Sequence, residues 1–263
     1  MVIRRGHFTK RRQQFTELTD SLWEIIKPFL DNGRKRKHCL RKIVNAIFKI
    51  TRTGCQWRNL DATYPPWQIV YYYFRKWQKD GAWGLALAYV VQKERIRQKR
   101  QPQASRTAVD SQSVKKGSFI SIDTGIDGAK FINGRKRHLA VDSLGLPLAI
   151  HVGAANVHDT VAGIELLWQI KESSQRLELI CADQAYRGYF TECAELYRWT
   201  VEITQKPESE QGFVPQTGRW QVERSFAWFN FFRRLAKDYE KTPQSSVAFI
   251  QATFIVIILA RLA

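Results

Sequence analysis

The sequence has few cysteines and no uninterrupted hydrophobic run of membrane-spanning length. A membrane helix needs about 20 apolar residues, and the best candidate, residues 247–262, is interrupted by Gln251 and Arg261. We therefore predict a buried C-terminal helix and no membrane partner. The cysteines lie far apart, without a Cys-x-x-Cys pair, at Cys39, Cys55, Cys181 and Cys193. This spacing argues against a zinc site or a disulfide framework and favours a reducing compartment.

Acidic residues are scarce in the first part of the chain. Residues 1–105 hold 23 Lys/Arg against 7 Asp/Glu, whereas residues 106–263 hold 19 against 17. An excess of this kind predicts a polyanionic partner, most commonly nucleic acid. A basic surface that serves only solubility is the alternative. The basic N-terminus also lacks the apolar segment of a signal peptide, so we expect a cytoplasmic protein.

The basic part is predicted to be helical. We interpret residues 1–14 as a disordered basic arm and residues 15–92 as a helical domain. A helix is expected to start at Thr19, a second to end at Gly54, and a third to open after Pro65. Short helices separated by cations are typical of a helix-turn-helix-like DNA-binding module.

The third predicted helix is rich in aromatic residues. Its spacing indicates a buried stripe formed by Trp67, Val70 or Tyr71, Phe74 and Trp77. Most of these rings are expected to pack in a core and not to contact bases. The charged segment 93–105 ends in Pro, Gln and Ser and is interpreted as a linker. We expect residues 106–263 to form a second domain that folds without residues 1–100.

After the linker the pattern changes from helices to strands. The order of elements, βββαβαβαα, predicts a ribonuclease-H-like domain with a five-stranded mixed sheet and flanking helices. Residues 115–135 are predicted to be a loop. The predicted strands are Thr107–Val114, Lys136–Asp142, Pro147–Gly153, Leu177–Ala182 and Val201–Gln205.

Two carboxylates are expected to meet in this topology. Asp110 lies on the central strand, and Asp183 follows the strand predicted to pair beside it in parallel. Adjacent carboxylates repel each other unless a cation lies between them. With no Cys or His nearby in sequence, hard oxygen ligands favour Mg²⁺ or Mn²⁺.

A third acid, Glu223, lies on a predicted helix over residues 220–235. Arg219 is one turn earlier on the same face, and Val222, Phe226 and Phe229 are expected to pack on the sheet. Three acids around two metal ions suit in-line displacement at phosphorus. The structural alternatives are a turn role for Asp183 and a surface ion pair between Glu223 and Arg219.

The tetrapeptide AVDS occurs twice, at Ala108–Ser111 and again at Ala140–Ser143. The second copy is followed by Leu-Gly-Leu-Pro, a turn sequence, so Asp142 is predicted to bond backbone amides and not a metal. Asp159 is predicted to cap a helix.

These motifs resemble the DDE transposases of bacterial insertion sequences, in particular insertion-sequence family 5 and its relatives in family 4. The resemblance covers roughly residues 16–262. It rests on LTDSLWEIIKPFL, AIFKITRTGCQWRNL, YPPWQIVYYYFRKW, VDSQSV, GRKRHLAVDSLGLPL, AANVHD, ADQAYRG and RWQVERSFAWFNFFRRLAKDYE. It implies that Asp110, Asp183 and Glu223 are the catalytic acids and hold two Mg²⁺ (or Mn²⁺) ions. It further implies binding of double-stranded element ends and target DNA, strand cleavage and transfer, a homodimer on DNA, and a place at the bacterial nucleoid.

The chain departs from the family pattern around the glutamate. Where relatives often carry Tyr and Lys, this sequence has Gln216 and Asn230, while Arg219 matches. Arg233 or Arg234 is a candidate substitute for the missing cation. The residues predicted to contact DNA are Arg34, Lys35, Arg36, Lys37, Arg41, Lys42, Lys115, Lys116, Lys130, Arg135, Lys136, Arg137, Arg219, Arg233 and Arg234.

Two other functions remain open from the sequence. One is a ribonuclease-H-like nuclease without strand transfer, and the other is a non-catalytic DNA-binding protein derived from a transposase. Inverted repeats beside the gene would favour the transposase. A serine or tyrosine recombinase is disfavoured, because Ser111 and Tyr186 lack the surrounding arginines that such a nucleophile requires.

Overall fold

The computed structural model describes residues 17–204 and 219–263. The predicted basic arm at residues 1–14, Gln205 and Gln216 lie outside these ranges. Residues 17–105 contain four helices: α1 (Asp20–Leu30), α2 (Leu40–Thr53), α3 (Trp67–Lys79) and α4 (Ala82–Arg97).

Local sequence signals set the helix ends as predicted. The Thr19 hydroxyl accepts a hydrogen bond from the backbone N–H of Leu22 and so caps α1. Gly54 ends α2 in the left-handed conformation, with φ of 68°, which a residue without a Cβ adopts at little cost. Helix α3 follows Pro66, as the Pro-Pro pair predicts.

Helix α4 extends beyond residue 92, where the predicted helical domain ends. It continues to Arg97, so residues 93–97 of the predicted linker are helical. Glu94 and Arg95 are buried there. Arg95 forms an ion pair with Asp142, which lies after the third strand. Two charged residues can be buried in this way because each has a partner of opposite charge or a hydrogen-bond donor.

The aromatic stripe of α3 is only partly as predicted. Val70, Phe74 and Trp77 are buried, but Tyr71 is 40% exposed and Trp67 is half-buried. The helix therefore buries one narrow face, and its first turn leaves two rings accessible.

Between residues 106 and 263, the described residues form a six-stranded mixed sheet and four helices. In chain order these are β1 (Arg106–Lys115), β2 (Gly125–Asp127), β3 (Ile132–Val141), β4 (Pro147–Ala154), α5 (Asp159–Ser173), β5 (Leu179–Ala182), α6 (Tyr189–Leu196), β6 (Thr200–Ile203), α7 (Trp220–Trp228) and α8 (Pro243–Leu262).

The sheet has the predicted topology. Strands β1, β3 and β4 are antiparallel neighbours, β5 pairs with β1 in parallel, and β6 pairs with β5 in parallel. The prediction of five strands missed β2, a three-residue strand that pairs with the start of β3. It lies inside the segment predicted to be a loop, where few residues carry a strand pattern.

Helix α7 is shorter than predicted. It ends at Trp228, and residues 229–231 and 233–235 form two short 3-10 turns. The backbone of Phe232 between them is extended, with φ of −123° and ψ of 98°. Val222, Phe226 and Phe229 are buried on the sheet side, as predicted.

One hydrophobic core joins the two predicted domains. Residues of α1 to α4, α7 and α8 pack together with Leu139 and Val141 of β3 and Ile150 of β4. A second core, under α5 and α6, covers the other face of the sheet. This shared core disagrees with the expectation that the second domain folds without residues 1–100, because removal of residues 1–100 would expose the apolar side chains of α8.

Helix α8 is the described helix that is long and apolar enough to cross a membrane. Most of it is buried in the shared core, where it contacts α4, α2 and β4. Thr242 caps it and Pro243 occupies its first turn. The prediction of a buried C-terminal helix is confirmed.

Candidate active site

The register of two parallel strands brings Asp110 and Asp183 together. Ala108 of β1 pairs with Cys181 of β5, and each aspartate lies two residues further along its strand direction. Asp183 directly follows β5 and accepts a hydrogen bond from the backbone N–H of Ala185. The two acids therefore lie next to each other as expected. Asp183 also has the turn role that was its structural alternative.

Arg219 joins the third acid to this pair. One guanidinium nitrogen, Nη2, lies 3.1 Å from Oδ2 of Asp110 and 3.8 Å from Oε1 of Glu223. The Arg219 side chain also donates to the hydroxyl of Thr204 at 3.4 Å. Helix α7 thus places Glu223 on the same side of the sheet as Asp110, with a cation between the two carboxylates.

The site makes ionisation of Asp110 costly. Burial raises the pKa of Asp110 to about 6, and the negative charge of Asp183 adds to the rise. Arg219 and the backbone N–H of Ser111, 2.7 Å from Oδ1, oppose it. A cation bound beside Asp110 and Asp183 would lower this cost, because a nearby positive charge favours the ionised form of a carboxyl group.

The raised pKa of Asp110 predicts a pH dependence of stability without metal. The folded chain binds this proton more tightly than the unfolded chain, so the stabilising contribution is present below about pH 4 and lost as pH rises through about 6. Asp110→Asn should therefore gain thermal stability relative to the unchanged chain as pH rises from 4 to 7. Thermal unfolding in a chelator across this range measures the difference, and a constant difference would contradict the assignment.

The donors suit a hard divalent cation. Asp110, Asp183 and Glu223 supply carboxylate oxygens without Cys or His, as Mg²⁺ and Mn²⁺ prefer. Among the described residues, no three His, Cys, Asp or Glu side chains are grouped closely enough to hold one ion. Arg219 lies between Asp110 and Glu223. The donor chemistry of Asp110 and Asp183 therefore suits a divalent cation, and Glu223 can join them only if the guanidinium moves.

Asp142, in the second AVDS copy, has a structural role. It is 1% exposed, pairs with Arg95, and accepts hydrogen bonds from the backbone N–H groups of Leu144 (2.9 Å) and Leu146 (2.8 Å). The predicted turn role is confirmed. Nothing local in the sequence indicates the ion pair, because Arg95 is 47 residues away from Asp142.

Asp159 is not the helix cap that the sequence predicts. The cap of α5 is His158, whose Nδ1 accepts from the backbone N–H of Thr160. The carboxylate of Asp159 instead accepts from the Ser111 hydroxyl at 2.9 Å and pairs with Lys136 at 2.7 Å. Sequence reasoning missed this contact, which ties α5 to the residue after Asp110.

Several residues predicted to contact DNA are internal. Arg135 is fully buried and donates to Asp238 and to the carbonyl of Glu240. Arg137 is 2% exposed and donates to a backbone carbonyl, and burial lowers its pKa to about 10.

Two further candidate DNA contacts are also internal. Arg234 is paired with Glu240, and Lys136 with Asp159. The predicted DNA contact of Arg135, Lys136, Arg137 and Arg234 stays a prediction, and all four side chains are buried in this structure. The reason is that β3 is covered on both faces, and Arg234 packs against Phe249 of α8.

The other predicted DNA contacts are more accessible. Arg36 and Arg41 are half-buried and form ion pairs with Asp31 and Asp20. Lys116 is half-buried and donates to the carbonyl of Ile120. Asn230, at the position where relatives carry Lys, is exposed. Among the residues predicted to contact DNA, those with exposed side chains are Arg34, Lys35, Lys37, Lys42, Lys115, Lys130 and Arg233.

Comparison with known proteins agrees with this architecture. A family model described as "Transposase DDE domain" matches residues 101–259, more than half of the chain, and one described as "Putative transposase of IS4/5 family" matches residues 18–86. A protein of Burkholderia cepacia, described as "Putative transposase for insertion sequence element IS402", is 30% identical over 125 residues. That match spans 45% of this chain and 59% of the relative, less than two thirds of its length. A helical N-terminal region, a mixed sheet with flanking helices and both family matches show that the chain belongs to the DDE transposases of the IS4/5 group.

Proposed function

We propose that this chain binds the terminal inverted repeats of an insertion sequence, cleaves the DNA at each end, and joins the freed ends to target DNA. The observation that carries the proposal is the placement of Asp110 within β1 and of Asp183 directly after β5, the strand that pairs with β1 in parallel, with Glu223 linked to Asp110 through Arg219. The family membership supports the same reaction class.

The acids and the arginine have separate roles in this proposal. Asp110, Asp183 and Glu223 would hold two divalent ions, Mg²⁺ or Mn²⁺, as DDE transposase domains generally use. Such ions, when bound, activate a water or a 3′ hydroxyl and stabilise the leaving oxygen. Arg219 would leave the carboxylates and contact a DNA phosphate, since a guanidinium fork matches phosphate oxygens.

Cleavage of DNA tests the proposal directly. The substrate is a duplex carrying the inverted repeats that flank the coding sequence, with Mg²⁺ and with a chelator, and the control is a duplex of equal length without the repeats. We expect metal-dependent nicking at the repeat ends and, with added target DNA, joined products. Nicking without joined products would favour a nuclease, and no metal-dependent cleavage would contradict the catalytic role.

The exposed cations between α1 and α2 should bind the DNA backbone. Lys35→Ala combined with Lys37→Ala should weaken duplex binding and reduce the log–log salt slope of the binding constant by about 1 to 2, because each lost phosphate contact removes about one unit. Fluorescence anisotropy over a salt series measures this slope. The control is Lys171→Ala with Arg176→Ala, two exposed cations near α5, and equal slopes for both double variants would contradict the assignment.

Both element ends must be cut together, so we propose a homodimer in the complex with double-stranded DNA. We likewise propose that the protein acts at the nucleoid in the bacterial cytoplasm. Light scattering of the protein with and without a repeat-bearing duplex tests the dimer, and one chain per two ends in the cleaving complex would contradict it.

A further inference from the structure

An aromatic cleft lies between the two parts of the chain, away from the catalytic acids. Its volume is about 620 Å³. The loop after α2 and the start of α3 form one wall, and Phe119 with residues of the segment 234–241 forms the other. Five aromatic side chains line it: Trp57, Trp67, Tyr71, Phe119 and Tyr239.

Several of these rings are accessible. Phe119 is 76% exposed and Tyr71 is 40% exposed, while Trp57, Trp67 and Tyr239 are half-buried. Trp57 packs inward against Phe74 and Phe249, which fixes the floor of the cleft. Rings that are held in place and left accessible provide stacking surfaces for a planar ligand.

The charges around the cleft favour an anion. Arg58 and Lys241 are exposed, and the guanidinium of Arg58 lies 5.5 Å from the centre of the Trp67 ring. The acid among the lining residues, Glu240, is buried and paired with Arg234 at 2.7 Å. The accessible charges of the lining are therefore positive, beside aromatic faces.

The cleft lies within reach of a DNA strand at the catalytic acids. The second half of β1 runs from Asp110 to Lys115, and Lys116, the next residue, pairs with Asp238 beside the cleft. Six residues of extended chain span about 20 Å, which corresponds to about six nucleotides at 3.4 Å each along one strand.

We propose that this cleft binds unpaired nucleotides of DNA, with bases stacked on Phe119, Tyr71 and Trp67 and phosphates paired with Arg58 and Lys241. Stacking rings with flanking cations bind single-stranded DNA with little sequence preference. The proposal rests on the proposed function only in that the chain binds DNA. It adds that one strand leaves the duplex near the catalytic acids.

Two probes and a set of substitutions test the cleft. The probes are a single-stranded 12-mer of thymidylate with one central 2-aminopurine and a blunt duplex, each titrated with the full chain. Phe119→Ala should weaken single-strand binding about 5-fold or more, because one base–aromatic stack contributes about 1–3 kcal/mol, and should relieve quenching of 2-aminopurine. Duplex binding should change less than about 2-fold, because a blunt duplex presents no unpaired base that could stack on Phe119.

Controls separate stacking from damage to the fold. Phe119→Tyr keeps the ring and should bind the single strand like the unchanged chain. Trp168→Ala removes a 54% exposed ring on α5 and should have no effect. If Phe119→Ala and Trp168→Ala bind the single strand equally well, the cleft assignment is wrong even where duplex binding and cleavage succeed. If the unchanged chain binds neither probe, the cleft assignment and the proposed function both fail. If Phe119→Ala loses single-strand binding but still cleaves the repeat-bearing duplex, the cleft assignment is supported.

Discussion

Asp110→Asn is expected to lower the rate of metal-dependent cleavage at the element ends by at least about 10³-fold, because losing an ionised metal ligand removes several kcal/mol of transition-state stabilisation. The asparagine has nearly the same shape and retains an oxygen that can accept from Ser111. Since burial already disfavours the charged form of Asp110, the variant should remain folded. Cleavage of a labelled repeat-bearing duplex, measured beside thermal unfolding, separates the two effects.

An exposed acid provides the control for this loss. Asp123 lies on the segment between β1 and β2 and is exposed, so Asp123→Asn changes the net charge equally without touching the carboxylate pair. It should cleave DNA at the unchanged rate. Cleavage by Asp110→Asn at the rate of the Asp123→Asn variant would remove Asp110 from the catalytic set.

The second large effect is expected at the other copy of AVDS. Asp142→Asn keeps an oxygen that can accept from Leu144 and Leu146, but it removes the charge that faces buried Arg95. An uncompensated buried charge costs about 3–5 kcal/mol. The free energy of unfolding, measured by urea denaturation, should fall by this amount, whereas Asp110→Asn should not lower it.

A double variant tests whether the lost charge is the cause. Arg95→Met combined with Asp142→Asn removes both charges and should recover part of the stability, because the methionine stem fills similar space without a charge. If Asp142→Asn were as stable as the unchanged chain but failed to cleave DNA, the two copies would have the opposite roles from those assigned here.

Local sequence signals predicted much of the catalytic unit. The turn residues after Asp142 distinguished the second AVDS from the first, and the order of strands and helices predicted the pairing of β1 with β5. These signals are sufficient because turn chemistry is local, and because few sheet topologies are compatible with a given order of elements.

The charge pattern does not indicate which individual cations are accessible. Arg135 and Arg137 stand in a run of basic residues that indicates a DNA surface, yet both are buried. Their partners, Asp238 and the carbonyl of Leu235, lie about 100 residues further along the chain. Nothing near β3 in sequence indicates that such partners exist, so a charge pattern alone cannot distinguish a solvated strand from a buried one.

By itself, the sequence indicated the order of the elements other than β2, the basic character of the first part and the positions of the three candidate acids, because these depend on residue type and local spacing. Only the tertiary structure decided which charges are accessible, that α8 joins the two parts in one core, and that Arg219 stands between Asp110 and Glu223. Burial and ion pairing depend on residues distant in sequence, and their positions are fixed only when the chain packs.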